Sequence, residues 1–249
     1  MSDIKKPENP KVISKTWYYI TNNFLVLFFF SIFISIFFYF YERIESTIYE
    51  SIGLFETIIF FCISLIVYII PFAICAVKIH RNILLDEDLV GEIMNSFVFA
   101  KSLKYSLWAY VTLVMSYLPA IIFYFLFIFS ENNEIAFLIL CIITALIGIY
   151  ALYRVSFYLP YLVTTNEERP MGFFSSFHKK TKGLTWRAIL AVFVYMLMFI
   201  LAAVIVENLI LQGFFGLYDL TIVGDVIFTF FSLVIVAIVS FTYKSKSIE

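Results

Sequence analysis

Six apolar runs of about 20 residues each are the feature of this sequence that most restricts its fold. A helix rises about 1.5 Å per residue, so about 20 apolar residues cross a hydrocarbon layer about 30 Å thick. The runs lack the strict alternation of a transmembrane β-barrel, and helices satisfy their backbone hydrogen bonds internally. The sequence therefore predicts an all-α polytopic membrane protein. The predicted spans cover about residues 24–41, 57–77, 106–129, 135–153, 188–206 and 221–243.

Composition excludes several other classes of protein. Of the 249 residues, 63% are apolar and 14% are charged, more apolar surface than a soluble core of this size can bury. A net charge of −1 gives no basic field for nucleic acid. Cys62, Cys75 and Cys141 lie inside apolar runs, without the spacing of a disulfide framework or a metal site. We expect one integral membrane domain over residues 1–249, whose first span is retained as an anchor rather than cleaved as a signal peptide.

Basic residues predict how the helices are oriented. Every Lys and Arg except Arg43 falls in alternate segments of the chain, before the first span, after the second and fourth spans, and after the sixth. Segments rich in Lys and Arg stay in the cytoplasm. Both termini are therefore predicted to be cytoplasmic.

Two long segments on that side are predicted to form amphipathic helices at the membrane surface. In the first, about 86–104, Leu85, Leu89, Ile93 and Phe97 repeat every four residues. In the second, about 168–182, three Phe residues form the apolar face and Gly183 can end the helix. Residues 155–165 are also apolar but too short to span, so an interfacial or re-entrant segment is expected there.

The sequence resembles a known group of membrane proteins at two places. VKIHRNILLDEDL, from Val77, is similar to a His-Arg-x-x-Leu-Leu-x-Glu signature of bacterial six-span inner-membrane proteins, although Asp86 stands where that group often has Gly. YRVSFYLPYLV and the later TKGLTWR resemble its Arg-x-Ser-x-x-Leu-Pro and Thr-x-Gly-x-x-Trp-Arg elements. The group is related to the membrane domain of some glycerophosphodiester phosphodiesterases. The resemblance implies an architecture and a bacterial inner-membrane location, but no activity.

Candidate functional residues are the basic side chains near the predicted cytoplasmic ends of the spans. Arginine presents a planar fork that suits phosphate, and clusters of basic residues attract anionic lipid. In the competing interpretation these basic residues only fix the orientation of the helices, as the positive-inside rule describes. Their side chains then extend toward the headgroups without a specific binding role. The lipid-headgroup candidates are Arg81, Arg154, Lys179, Lys180, Lys182 and Arg187.

Other functions find weaker support in the residues. Asp86, Glu87 and Asp88 could hold a hard cation in a lipid enzyme, but acids are common at helix starts, and no nucleophile or phosphate-loop motif is present. Asp225 is expected near the outer interface. We therefore predict a non-catalytic component that interacts with lipid or protein, without catalytic, cofactor or metal sites. A membrane-protein partner or a homo-oligomer fits this prediction, and a small transporter or channel is the alternative, suggested by Pro71 and Pro119 within spans.

Overall fold

The computed structural model describes residues 9–49, 54–91, 96–129, 134–164, 184–205 and 221–247. Within these ranges the regular secondary structure is entirely helical, which confirms the all-α prediction. The helices are α1 (Asn9–Asn22), α2 (Phe24–Tyr49), α3 (Leu54–Leu85), α4 (Ser96–Phe129), α5 (Glu134–Ser156), α6 (Tyr158–Thr164), α7 (Leu184–Ile205) and α8 (Thr221–Ser247).

Five stretches of helix are long and apolar enough to cross a membrane, as in a multi-pass membrane protein. They are Phe24–Ile44, Ser96–Phe127, Ile135–Thr164, Leu184–Leu201 and Val223–Ser245. The predicted second span, 57–77, lies within α3, but the side chains of residues 57–68 lie outside the described part of the chain. The third predicted span is longer than expected, because its helix already begins at Ser96.

The last helix, α8, lies at the centre of the bundle and packs against α1, α2, α3 and α7. Half of the residues in the apolar stretch of α8 are buried inside the bundle, against 6% in the apolar stretch that includes α5. Helix α5 therefore lies at the periphery of the bundle. Leu233, Ala237 and Ile238 on α8 are fully buried. A buried contact of 3.3 Å between the hydroxyls of Ser35 and Thr229 ties α2 to α8. Apolar packing around one central helix therefore organises the fold.

Helices α4 and α5 form a tight hairpin with small residues at its contact. A Cβ atom on Gly148 would lie 2.4 Å from the carbonyl oxygen of Ser116, so only glycine fits there. The Cys141 thiol also contacts the Ala120 carbonyl oxygen at 3.4 Å. Small residues let helix backbones approach closely in membrane proteins. The sequence pattern did not predict this pairing.

Helix α1 is an amphipathic helix that the sequence analysis did not predict. Its buried side chains, Val12, Thr16 and Tyr19, recur at helical spacing and face the bundle, where α1 packs on α8. The Tyr195 hydroxyl donates to the Ile13 carbonyl oxygen at 3.0 Å, which links α7 to α1. On the opposite face Trp17 is exposed, as is common for an aromatic residue at a membrane surface.

The predicted interfacial helix at 86–104 is wrong as a single helix. Residues 86–91 are not helical, and the residues from Ser96 onward are the first turns of α4. Asp86 has φ 55°, a left-handed conformation that ends α3. The second predicted interfacial helix, 168–182, lies outside the described residues. In the predicted interfacial segment 155–165 the structure places the short helix α6, with Leu159, Pro160 and Val163 buried.

Candidate functional site

Side-chain contacts bring the ends of several helices together at one end of the bundle, which we call the basic end. It contains the last turns of α3, α5 and α8, the first turns of α4 and α7, and all of α6. The basic residues there include Lys78, Arg81, Lys101, Lys104, Arg154, Arg187 and Lys244. Described basic residues from three of the alternate segments of the sequence therefore lie together at this end.

Residues 86–91 form a strap that folds back over the end of α3. Arg81 holds it with a two-pronged contact, in which Nε donates to Glu87 Oε2 at 2.7 Å and Nη2 donates to Oε1. Asn82 donates to the Glu87 carbonyl oxygen, and the Lys78 ammonium donates to the carbonyl oxygen of Gly91. Within the strap, the side chain of Leu89 is buried. The hydrogen bond from Arg81 holds the pKa of Glu87 below its ordinary value, so this carboxyl is ionised at neutral pH.

Asp86 occupies the position immediately after α3, where helices often end in a left-handed residue. Glycine is the usual residue there, because it adopts the left-handed conformation without steric cost. In this chain the Lys244 ammonium donates to the Ile83 carbonyl oxygen at the end of α3 and lies 3.4 Å from Asp86 Oδ1. A cation from α8 therefore caps the C-terminal end of α3.

Arg81 and Lys101 also close the C-terminal end of α6. Arg81 Nη1 donates to the Val163 carbonyl oxygen at 3.1 Å, and Lys101 Nζ donates to the Leu162 carbonyl oxygen at 3.2 Å. Both cations lie over the Phe97 ring, at 4.9 Å and 5.5 Å from its centre. Cations near the last carbonyls of a helix are favourable. Arg81, which the sequence analysis predicts as a lipid-headgroup candidate, thus connects α3, the strap and α6.

His80 is fully buried between three helices and belongs to a chain of hydrogen bonds. Its Nδ1 lies 2.6 Å from Ser240 Oγ, and its Nε2 lies 3.4 Å from the Tyr105 hydroxyl. The Ser240 hydroxyl donates to the Val236 carbonyl oxygen at 2.8 Å, so its oxygen accepts the Nδ1 proton and Nε2 accepts from Tyr105. Burial lowers the pKa of His80 to about 3, and the ring is neutral. Each group in this chain has a defined donor or acceptor role.

A second group of polar side chains lies on the surface between α5 and α7. The rings of Tyr150 and Trp186 have centres 5.4 Å apart, and Arg154 Nη1 donates to the Tyr150 hydroxyl at 2.8 Å. Trp186 is 65% exposed, and the neighbouring Arg187 is exposed as well. We call Tyr150, Arg154, Trp186 and Arg187 the α5–α7 patch. It combines two arginines with two aromatic rings, which suits a membrane interface.

The structure separates the predicted site residues into distinct groups. Arg81 lies under the strap, whereas Arg154 and Arg187 belong to the α5–α7 patch. The remaining lipid-headgroup candidates, Lys179, Lys180 and Lys182, lie outside the described residues. Asp225 is exposed on α8, and in the described part of the chain no cluster of three His, Cys, Asp or Glu side chains could hold a metal ion.

Sequence reasoning missed several partners of these residues. Tyr105 and Ser240 contact His80 from positions 25 and 160 residues away, and Tyr150 joins the α5–α7 patch by ring contact. The spacing of Tyr150 and Arg154, four apart on a helix, was the one local signal available. No family model, curated protein or solved structure matches the chain.

Proposed function

We propose that this chain is a six-span protein of the bacterial inner membrane whose basic end faces the cytoplasm and binds anionic lipid headgroups, without catalysing a reaction. Helix α3 supplies the sixth span in this arrangement. The positive-inside rule and the resemblance of the His80–Glu87 motif to inner-membrane proteins support the orientation and the location.

The observation that carries the proposal is the α5–α7 patch. Trp186 and Arg187 are exposed at the start of α7, and the Trp186 ring lies against Tyr150, whose hydroxyl accepts a hydrogen bond from Arg154. Aromatic rings of this kind lie at headgroup level, and the arginine fork suits a lipid phosphate. The patch therefore combines the two parts of a headgroup site, an aromatic ring and an arginine fork.

We predict that the double substitution Arg154→Gln with Arg187→Gln weakens binding of phosphatidylglycerol by roughly 10- to 30-fold, since each basic residue near the membrane surface contributes about 1 kcal/mol. Binding is measured by native mass spectrometry of the full-length protein, with phosphatidylglycerol titrated against phosphatidylcholine in mixed micelles.

A matched control lies near the C-terminal end of α2, outside the basic end. Arg43 Nη2 donates to the Tyr39 hydroxyl at 2.9 Å and lies over its ring at 5.2 Å, the same pairing as Arg154 with Tyr150. Arg43→Gln should leave phosphatidylglycerol binding within about twofold of wild type, because it removes the same contact without touching the basic end. Equal losses in Arg43→Gln and the double variant, or no loss in either, would refute the proposal.

The alternative of a transporter or channel stays a prediction. A cavity of about 320 Å³ lies between α1, α2, α7 and α8, but apolar side chains such as Phe28, Phe199 and Val226 line it. A permeation path for a polar solute needs polar groups along its wall. This cavity therefore lends the alternative no support.

A further inference from the structure

We propose that Arg81, Lys78 and Lys101 form a binding site for a phosphate monoester, that Glu87 occupies this site in the structure, and that a bound phosphate displaces Glu87 and releases the strap. This site is separate from the α5–α7 patch. Its ligand class is a phosphate dianion, carried either by a lipid headgroup or by a free phosphorylated molecule.

The first step of the argument is the geometry of the Arg81–Glu87 contact. Two guanidinium nitrogens face the two carboxylate oxygens of Glu87, the same fork that arginine presents to two phosphate oxygens. Glu87 is the more accessible partner, because its side chain is 39% exposed while that of Arg81 is 14% exposed. An anion from solvent can therefore reach the carboxylate's position without unpacking α3.

The second step is the charge around that position. Lys78 lies three residues before Arg81 on the same face of α3 and is 5% exposed. Its ammonium has three donors, and among the described residues it hydrogen-bonds to the Gly91 carbonyl oxygen alone. Lys101, from α4, lies over the same Phe97 ring as Arg81, with its Nζ 5.5 Å from the ring centre. Arg81 and Lys78 thus act on one carboxylate, with Lys101 beside Arg81, and a dianion would balance the charge of these cations more completely than Glu87 does.

The third step is the link between Glu87 and the strap. Asn82 holds the Glu87 backbone, and Lys78 holds the end of the strap at Gly91. A phosphate that engages Arg81 and Lys78 competes with the side chain of Glu87 and with the Gly91 carbonyl oxygen together. Binding of an anion is therefore coupled to opening of residues 86–91.

The test measures hydrogen–deuterium exchange of the strap amides in the full-length protein while a ligand is titrated. Inorganic phosphate in micelles is one arm, and nanodiscs of phosphatidylcholine with added phosphatidic acid are the other. We expect strap exchange in the wild type to accelerate as the ligand binds. A response to phosphatidic acid alone assigns the site to a lipid headgroup, and a response to inorganic phosphate assigns it to a free phosphate.

Substitutions test whether the Glu87 carboxylate competes with the phosphate ligand for Arg81. Glu87→Gln should bind the ligand about tenfold more tightly, because a charge-assisted contact no longer competes. Arg81→Lys keeps the charge, loses the fork and should weaken binding about tenfold or more. The matched control is Asp88→Asn, which removes an acid of the same strap that accepts from the Val90 amide at 3.1 Å and leaves Arg81 untouched. Asp88→Asn should bind like wild type.

Two results would overturn the inference: strap exchange that responds to neither ligand in wild type and Glu87→Gln, or equal gains in Glu87→Gln and Asp88→Asn. Both results are distinguishable from failure of the proposed function. The Arg154→Gln with Arg187→Gln variant should keep its strap response to inorganic phosphate, and phosphatidylglycerol binding by the α5–α7 patch does not involve Glu87.

Discussion

Acidification from pH 6.5 to pH 5 should lower the free energy of unfolding by about 2 kcal/mol through His80 alone. The folded chain holds this ring neutral, whereas the unfolded chain binds a proton below its ordinary pKa of about 6.5. Because the unfolded state then carries more protons, stability falls as the pH falls through this window. Denaturant titration in micelles at several pH values measures the effect.

His80→Gln is the control for this prediction. The groups that contact the ring are the hydroxyls of Tyr105 and Ser240, and neither titrates between pH 5 and pH 6.5. The depressed pKa of Glu87 removes stability only at lower pH, below the ordinary carboxyl range. The glutamine variant should therefore lose most of the pH dependence above pH 5. An unchanged slope in that variant would show that His80 is not the group responsible.

Gly148→Ala should destabilise the protein by roughly 1–3 kcal/mol, the usual cost of forcing atoms into a packed contact. The added Cβ would meet the Ser116 carbonyl oxygen at 2.4 Å, and a backbone atom cannot rotate away as a side chain can. Unfolding in micelles, read by the loss of helical circular dichroism, measures the difference from wild type.

Gly224→Ala is the matched control, and we expect it to stabilise the protein. Gly224 also lies in a helix, but a Cβ there meets no atom within 4 Å. Replacing an unconstrained helical glycine by alanine stabilises a helix by about 0.5–1 kcal/mol. Equal effects of the two substitutions would contradict the close approach of α4 and α5.

The apolar runs were enough to predict most helices, because a span must be long and apolar whatever its neighbours are. Helix ends were harder to predict. The repeat of Leu85, Leu89, Ile93 and Phe97 every four residues indicated one continuous helix. The left-handed Asp86 and the side chains of α3 hold residues 86–91 in a strap instead. The periodicity of apolar residues does not report such contacts, because polar side chains at the end of α3 make them.

The sequence was enough to select candidate residues at the ends of the spans, but not to predict which side chains contact one another. Arg81, Arg154 and Arg187 were identified from their places at the ends of spans. That Arg81 faces Glu87 and the end of α6, while Arg187 is exposed beside Trp186, depends on how the helices pack. Helix α1 was missed because Lys11 and Lys15 made its sequence resemble a solvated tail, although Thr16 and Tyr19 are buried against the bundle.

Labelling of two introduced cysteines in intact cells tests most directly whether the basic end lies on the cytoplasmic side of the membrane. Arg187→Cys places a thiol at the basic end, and Arg43→Cys places one at the other end of the bundle; both positions are exposed. With a membrane-impermeant maleimide, and wild type as the control for the native cysteines, we expect Arg43→Cys to react in intact cells. Arg187→Cys should react only after the membrane is permeabilised. Labelling of Arg187→Cys in intact cells would contradict the proposed orientation and, with it, a headgroup site on the cytoplasmic face.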